Sequence, residues 1–288
     1  EVGRSWNMLK LKTFTDIEFS IIYVEHRSLG PARNSGISAA RGRFILTADA
    51  DDLVGETYII KMIRAAERSE FRHFALYPEF ILSFGARSFL SRYISSFYFS
   101  PADMLVNNPY CSRLIAPRET LIKFPYGDFG LGSQWSYEDW ELSLRLASEG
   151  GMLGVCENAV LFYRERADSL AKKAHAQGGL IQANRFHEAD FLLERHQNFL
   201  GRFSSERYLE QVRERFHDRQ TALKFLDTND WFADEVAKAN SLEPQIDLRG
   251  LLSNPTWCPL PFHTSERNWG WCLLELLKLL ENSKITDV

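Results

Sequence analysis

The stretch Phe44 to Asp52, FILTADADD, constrains this chain more than any other. Its first five residues form a short run rich in apolar and β-branched side chains, the pattern of a strand buried on both faces. That strand runs straight into Asp49, Asp51 and Asp52. In open α/β sheets, ligands sit beyond the C-terminal ends of the strands. Three carboxylates so close together need a counterion, and hard carboxylate oxygens suit Mg²⁺ or Mn²⁺. The competing reading is a solvated acidic turn that caps the helix starting near Glu56.

The surrounding pattern predicts alternating strands and helices. Phe19 to Val24 (FSIIYV) has the composition of a buried strand, and Gly30-Pro31 breaks it. A helix is expected over Ala32 to Ala40, and an amphipathic one over Thr57 to Arg68 with Ile59, Met62, Ile63 and Ala66 on one face. His73 to Ser83 and Tyr110 to Ala116 read as strands, and Glu119 to Phe124 as a short helix. A Gly-rich loop covers Tyr126 to Ser133. A strong helix follows from Ser136 to Ser148, ended by Gly150-Gly151, and Met152 to Tyr163 holds one or two strands. The alternation predicts a layered α/β domain with a largely parallel sheet. Beyond Arg166 the pattern turns helical, from Ala174 to Leu226. The Pro-bearing stretch Leu242 to His263 is expected to be mostly loop, and Trp271 to Glu281 a final amphipathic helix. The expected division is therefore an α/β domain over 1–173 and a mostly helical extension over 174–288.

Charge and composition exclude several classes. Lys plus Arg is 34 and Asp plus Glu 38, a formal net charge of −4, so a generally basic nucleic-acid binder is not expected. Cys111, Cys156, Cys258 and Cys272 form no CxxC pair and no metal-spaced cluster, which favours reduced thiols and a cytoplasmic setting. No apolar run reaches the ~20 residues that span a bilayer. The segment Trp269 to Leu280 is shorter and is interrupted by Glu275 and Lys278. It is read either as packing on its own domain or as docking on a membrane or partner. The aromatic stretch Phe89 to Phe99 is read as core, with a membrane or glycan surface as the other reading.

Three further motifs bear on chemistry. In SQWSYEDWELSLRLASEG (133–150), Ser136 is a plausible N-cap with Asp139 at the third helical position, a capping-box-like pattern. The functional reading instead has Glu138 and Asp139 at the mouth of a cleft, one of them accepting a proton. Leu142, Leu144 and Leu146 cannot share one face, so this helix is expected to be buried around much of its circumference. Arg145 is read as an ion-pair partner of Glu138 or Glu141, or as a solvated charge. In GPARNSGISAARG (30–42), small residues at a helix start either cradle a phosphate or allow tight packing. In LFYRERADSLAKK (161–173), Arg164, Arg166, Lys172 and Lys173 either close over a diphosphate or form a solvated loop.

The order of these motifs is more specific than any one of them. GPARNSGISAARGRFILTADADD, then YEDWELSLRLASEG, then LFYRERADSL resembles the GT-A glycosyltransferases of family 2, over roughly residues 15 to 170. The subgroup it most resembles builds bacterial surface polysaccharides. The resemblance implies a GT-A-like mixed sheet flanked by helices, followed here by the C-terminal helical extension. It implies an inverting enzyme that moves a sugar from a nucleoside-diphosphate donor to a hydroxyl of a glycan or lipid-linked glycan. Asp49 and Asp51 would form the DxD element that holds Mn²⁺ or Mg²⁺, with Asp51 the direct contact. Asp52 would support the turn or touch the sugar. Asp139 matches the catalytic base, and Glu138 would orient it or bind acceptor. Arg33 and Asn34 would border the donor site, and Arg164 and Arg166 would bind the diphosphate. Many relatives have a metal-ligating His where Arg166 stands. Asn107, Asn108, Tyr110 and Trp135 are acceptor-side candidates. A peripheral contact with the inner membrane face or a polysaccharide-synthesis complex is also implied.

The resemblance has one departure. Family members open with a strand of the type VSVIIPVYN and a second strand ending in a DDGS-like turn, and neither motif is spelled before Phe19. The expectation is either a piece of a longer enzyme or a degenerate relative. The second alternative carries its own function, a non-catalytic binding or assembly module. A third reading, an Asp49-dependent phosphatase, lacks the Thr that should follow its DxD and has its acidic turn on the wrong strand.

Overall fold

The computed structural model describes residues 17–96, 101, 103–106, 108–110, 113–129, 133, 135–202, 219–243 and 246–253. The elements run α1 (Leu29–Ala39), β1 (Phe44–Leu46), β2 (Leu53–Val54), α2 (Tyr58–Arg68), β3 (Phe74–Gly85), β4 (Leu90–Arg92), β5 (Ile115–Pro117), α3 (Arg118–Lys123), α4 (Glu138–Ser148) and β6 (Met152–Glu165). Helices α5 (Leu170–Ala176), α6 (Ala189–Arg202), α7 (Arg219–Thr228), α8 (Asp230–Asn240) and α9 (Leu248–Ser253) follow.

The sheet is mixed, in the order β1-β5-β3-β6-β2, with β4 also on β3. Only the long central pair β3/β6 is parallel; each other pairing is antiparallel. This corrects the largely parallel sheet expected from the alternation and agrees with the mixed sheet that the resemblance implies. Hydrophobic periodicity reports burial, not strand direction, so it cannot separate the two. A bulge interrupts the β3/β6 register, which passes from Pro78↔Cys156 to Phe80↔Val160. Pro78 has no N–H to give the ladder. Glu79 fills the gap, its carboxylate accepting from the Asn158 N–H at 2.6 Å and from Arg92 Nε at 2.7 Å.

Every residue of β3 except Gly85 is buried, because both faces of the sheet are covered. Tyr77 and Ile81 pack into one core with Met62 of α2 and Leu142, Leu144 and Leu146 of α4. Phe80, Leu82 and Phe84 pack into a second with Phe232 and Val236 of α8 and Ala222 of α7. Phe80 alone meets Phe225, Phe232 and Trp231 with ring centroids 5.0, 5.1 and 5.8 Å away. Such pairs contribute about 0.5–1.5 kcal/mol each beyond their area. Helices α7, α8 and α9 thus cover one face of the sheet, while Phe191, Leu192 and Leu193 of α6 join the other core.

Several expectations need correction. Phe19 to Val24 forms no strand; Tyr23 is 84% exposed and Ile21 and Ile22 are each 45% exposed. A strand exists through its ladder, and among the described residues none pairs with this segment. Of the strand expected from Tyr110 to Ala116, the described residues show Ile115–Pro117, with 111–112 outside them, and Met152 onward is a single bulged strand reaching Glu165. Within the stretch expected to be loop, Leu248–Ser253 is helical. Ser136 is not the N-cap of α4: Tyr137 holds that place with φ 65°, and no side chain caps the helix, so the capping-box pattern is not realised. Helix α4 is buried around much of its circumference as expected, and Arg145 pairs with Glu141 at 2.8 Å.

Tyr93 lies edge-on to Tyr110 at 5.5 Å and is buried, which supports the core reading of the aromatic stretch; Phe97 to Phe99 lie outside the described residues. So do Cys111, Cys258, Cys272 and the segment Trp269 to Leu280. Cys156 is buried and reduced, and burial pushes its thiol up to about 11. Among the described residues, no helix is long and apolar enough to cross a membrane.

Candidate active site

The site is assembled where β1 ends, where α1 begins and where α4 begins. Antiparallel pairing of β1 with β5 sets Ile45 against Ala116, and Thr47 N–H and Leu114 C=O extend the contact at 2.9 Å. The acidic turn Asp49–Asp52 therefore emerges beside the start of β5, where Arg113 stands. The Arg113 guanidinium reaches Asp49 Oδ2 at 2.7 Å and also grips Asp52. Its cation lies 5.0 Å from the centroid of the Tyr163 ring on β6.

Asp52 is enclosed, with 3% of its side chain exposed. Its second oxygen accepts from the Arg164 N–H at 2.9 Å. Burial raises its proton affinity, and Arg113 opposes that shift. The capping reading of the turn is not realised, because Asp52 faces Arg113 and the Glu56 N–H is taken by Glu235 at 2.9 Å.

Arg33 of α1 completes the network. Its guanidinium meets Asp49 Oδ1 at 3.2 Å and Glu138 Oε1 at 3.0 Å. Asn34 uses both ends of its amide on the Tyr126 backbone, at 2.8 and 2.9 Å, and so clamps the Gly-rich loop to α1. The same approach explains Gly30: a Cβ there would lie 2.0 Å from the Gly127 carbonyl oxygen. This supports the tight-packing reading of GPARNSG over the phosphate cradle.

At the start of α4, Asp139 accepts from the Trp140 N–H at 2.8 Å and from Asn108 Nδ2 at 3.3 Å. Its backbone carbonyl accepts from Ser143 Oγ, which lies 2.9 Å from Tyr77 OH in the core. Burial raises the proton affinity of the Asp139 carboxyl, with Trp140, Arg33 and Asn108 acting against it. Glu138 is raised in the same direction, by burial first and then by the charge of Asp139, while Arg33 opposes. Two neighbouring carboxyls with raised proton affinity form a candidate proton-accepting site.

Of the remaining candidates, Arg164 and Arg166 are brought onto the acidic turn. Arg164 Nε donates to the Asp51 carbonyl at 2.9 Å, and Arg166 pairs with the Asp51 carboxylate at 2.8 Å. Tyr110 is buried, stacks on Tyr77 at 4.2 Å and donates its hydroxyl to the Ile94 carbonyl. It stands behind the site, with its N–H 3.4 Å from Asn108 Oδ1. Trp135 is half-buried and bridges to Leu180. Asn107 lies outside the described residues. Arg113 was not among the sequence candidates; the only cue to it is a cation placed directly before a short apolar strand.

Among the described residues, no three His, Cys, Asp or Glu side chains converge as a ready-made metal cage. Mg²⁺ and Mn²⁺ sites that act on phosphates need only one or two carboxylates, the diphosphate supplying the rest. The three aspartates fit that kind of site unequally. Asp52 is enclosed, Asp49 is gripped by two guanidiniums, and Asp51 faces an Arg166 that is 58% exposed.

Residues 7–114 match the sequence profile of the family described as Glycosyl transferase family 2. The match is to one segment of the chain. That segment takes in α1, β1, the acidic turn and Arg113 and ends before Glu138. A 51-residue stretch is 45% identical to "Putative glycosyltransferase EpsH" of Bacillus subtilis (strain 168), covering 18% of this chain and 15% of that protein. Among solved structures, S. aureus TarS 1–349 in complex with UDP-GlcNAc aligns at TM-score 0.42 and 15% identity, over 70% of this chain and 61% of that one. GalNAc-T7 with UDP, GalNAc and Mn²⁺ aligns at TM-score 0.41 and 13% identity, over 85% of this chain and 49% of that one. The chain thus spans about half to three-fifths of these structures.

Proposed function

We propose that this chain is the catalytic part of an inverting glycosyltransferase. It would move a sugar from a nucleoside-diphosphate donor to a hydroxyl of a glycan or lipid-linked glycan in surface polysaccharide synthesis. The observation that carries this reading is Arg33, which ties Glu138 beside the proton-accepting Asp139 to Asp49 of the acidic turn. Donor-side and base-side carboxyls are thereby held in one network.

In this mechanism Asp139 accepts the proton of the acceptor hydroxyl as its oxygen bonds to the anomeric carbon. The bond from that carbon to the diphosphate oxygen breaks on the opposite side, which inverts the configuration. Asn108 and the Trp140 N–H hold the Asp139 carboxylate in place. Glu138, fixed by Arg33, would orient Asp139 or bind the acceptor. Asp51, with Asp49 behind it, would hold Mn²⁺ or Mg²⁺, which supplies Lewis acidity toward the leaving diphosphate. Arg164 and Arg166, which contact Asp51, would bind the diphosphate.

The test is transfer from UDP- and GDP-sugars with Mn²⁺, measured on the full-length protein alongside calorimetric binding of the free diphosphate. Asp139→Asn is expected to lower turnover by about 10²–10⁴-fold while leaving nucleotide affinity intact. Unchanged turnover in Asp139→Asn overturns the base assignment. Absence of nucleotide binding in the intact protein favours the non-catalytic assembly module instead.

A further inference from the structure

The acidic turn carries three carboxylates, yet two of them are committed to one buried cation. Arg113 is only 8% exposed, and its guanidinium touches both Asp49 and Asp52. Asp52 is locked from its other side by the Arg164 N–H. Asp51, between them in sequence, points the other way, toward the exposed Arg166. A bare DxDD turn offers a divalent cation several carboxylate oxygens at once. This one offers a single carboxylate whose partner can leave without stranding a buried charge.

We propose that Arg113 is a positioning residue of the donor site that withholds Asp49 and Asp52 from free cation, leaving Asp51 as the contact. The proposal rests on the donor-site reading above and deepens it. Cation affinity rises with the number of carboxylates that a site supplies. With Arg113 in place the turn would bind free cation weakly, and the diphosphate would supply the oxygens that Asp49 and Asp52 withhold. Without Arg113 the turn keeps Arg33 on Asp49 and Arg166 on Asp51 but carries one more uncompensated negative charge. It then takes cation alone and loses the charge balance that admits an anionic donor.

The test uses calorimetric titration of the full-length protein with Mn²⁺ alone and with UDP in the presence of Mn²⁺. Arg113→Met is expected to tighten binding of Mn²⁺ alone by about tenfold, for one or more freed carboxylates, and to weaken binding of UDP with Mn²⁺. A purely structural residue would weaken both. Removing Arg113 leaves Asp52 buried without its cation, which threatens the fold, so the double variant Arg113→Met/Asp52→Asn is measured beside Asp52→Asn alone. In the double variant Asp49 still loses one of its two guanidiniums and keeps only Arg33, so the opposite shifts in the two titrations should persist. If the folded double variant binds Mn²⁺ and UDP with Mn²⁺ as Asp52→Asn does, the assignment of Arg113 is overturned and the donor site stands. If the wild-type protein binds neither Mn²⁺ nor UDP with Mn²⁺, the proposed function falls and this assignment falls with it.

Discussion

Arg33 and Glu138 are 105 residues apart in sequence, and their side chains meet at 3.0 Å. The same guanidinium holds Asp49, so the entry of α4 and the end of β1 share one cation. Neither partner is fully exposed: 11% of the Arg33 side chain and 20% of the Glu138 side chain reach solvent. At that burial the pair is not screened as a surface ion pair is, and loss of Arg33 leaves Glu138 without its cation while Asp49 keeps Arg113.

Arg33→Met is therefore expected to destabilise the protein by roughly 2–4 kcal/mol, toward the range for breaking a buried pair. Replacing Glu138 with Gln as well should recover part of that loss, because one stranded charge disappears. A double-mutant cycle in urea checks this. Additive effects within about 0.5 kcal/mol would show that the two side chains are not energetically coupled.

Asp139 links stability to pH in a known direction. Burial raises its carboxyl in the folded state, so the native protein binds the proton more tightly than the unfolded chain does. The resulting destabilisation is fully present above the raised value and vanishes as pH falls toward the ordinary 3.8. Asp139→Asn is expected to melt higher than wild type at pH 7, with the gap closing on acidification through that window. The pair Glu138/Asp139 titrates together, so the acidic limb of kcat/KM should also lie above the ordinary carboxylate range. A gap that widens on acidification would contradict the assignment.

The parts of the site that depend on neighbours in sequence were legible. FILTADADD announces a strand that ends in carboxylates, and EDWELSLRL announces a helix with acids at its start. What depends on the ladder was not. FSIIYV has strand composition but forms no strand, and Ile21 to Val24 are exposed. Arg113 enters the site only because β5 lies antiparallel to β1, a pairing that periodicity does not encode. Tyr110, an acceptor-side candidate by resemblance, is buried in a stack on Tyr77, a packing that its neighbours in sequence do not announce. The acidic turn kept its predicted place and changed its meaning, since its countercharge comes largely from the protein itself.

Two glycines of α1 should respond in opposite ways. A Cβ on Gly30 would meet the Gly127 carbonyl oxygen at 2.0 Å, a contact of backbone with backbone that no rotamer relieves. Gly36, on the exposed side of the same helix, has nothing within 4 Å of such a Cβ. Gly30→Ala is expected to cost about 1–3 kcal/mol through overpacking, with loss of turnover as the clamped loop shifts. Gly36→Ala should add about 0.5–1 kcal/mol. Thermal melts of the two variants separate a packing role for this segment from a phosphate-cradling one. Lost diphosphate affinity in a stable Gly30→Ala would favour the cradle.

Glu235 joins the C-terminal helices to the front of the sheet. It lies on α8, is 8% exposed, and accepts from the Glu56 N–H at 2.9 Å and from Thr57 Oγ1 at 3.3 Å. The close approach of Gly55, whose Cβ would lie 2.7 Å from the Glu235 carboxylate, lets the helix reach that far. Glu235→Ala leaves two donors at the start of α2 without their acceptor, at a cost of about 1–3 kcal/mol. Glu235→Gln keeps one carbonyl oxygen and should lose less. Because Phe80 of β3 packs directly on Phe232 of the same helix, the sheet and α8 are expected to unfold in one transition. Urea denaturation followed by far-UV and near-UV circular dichroism tests both points. Two separated transitions, or an Ala variant as stable as wild type, would mean that the helices merely rest on the sheet and contribute nothing to holding the acidic turn beneath them.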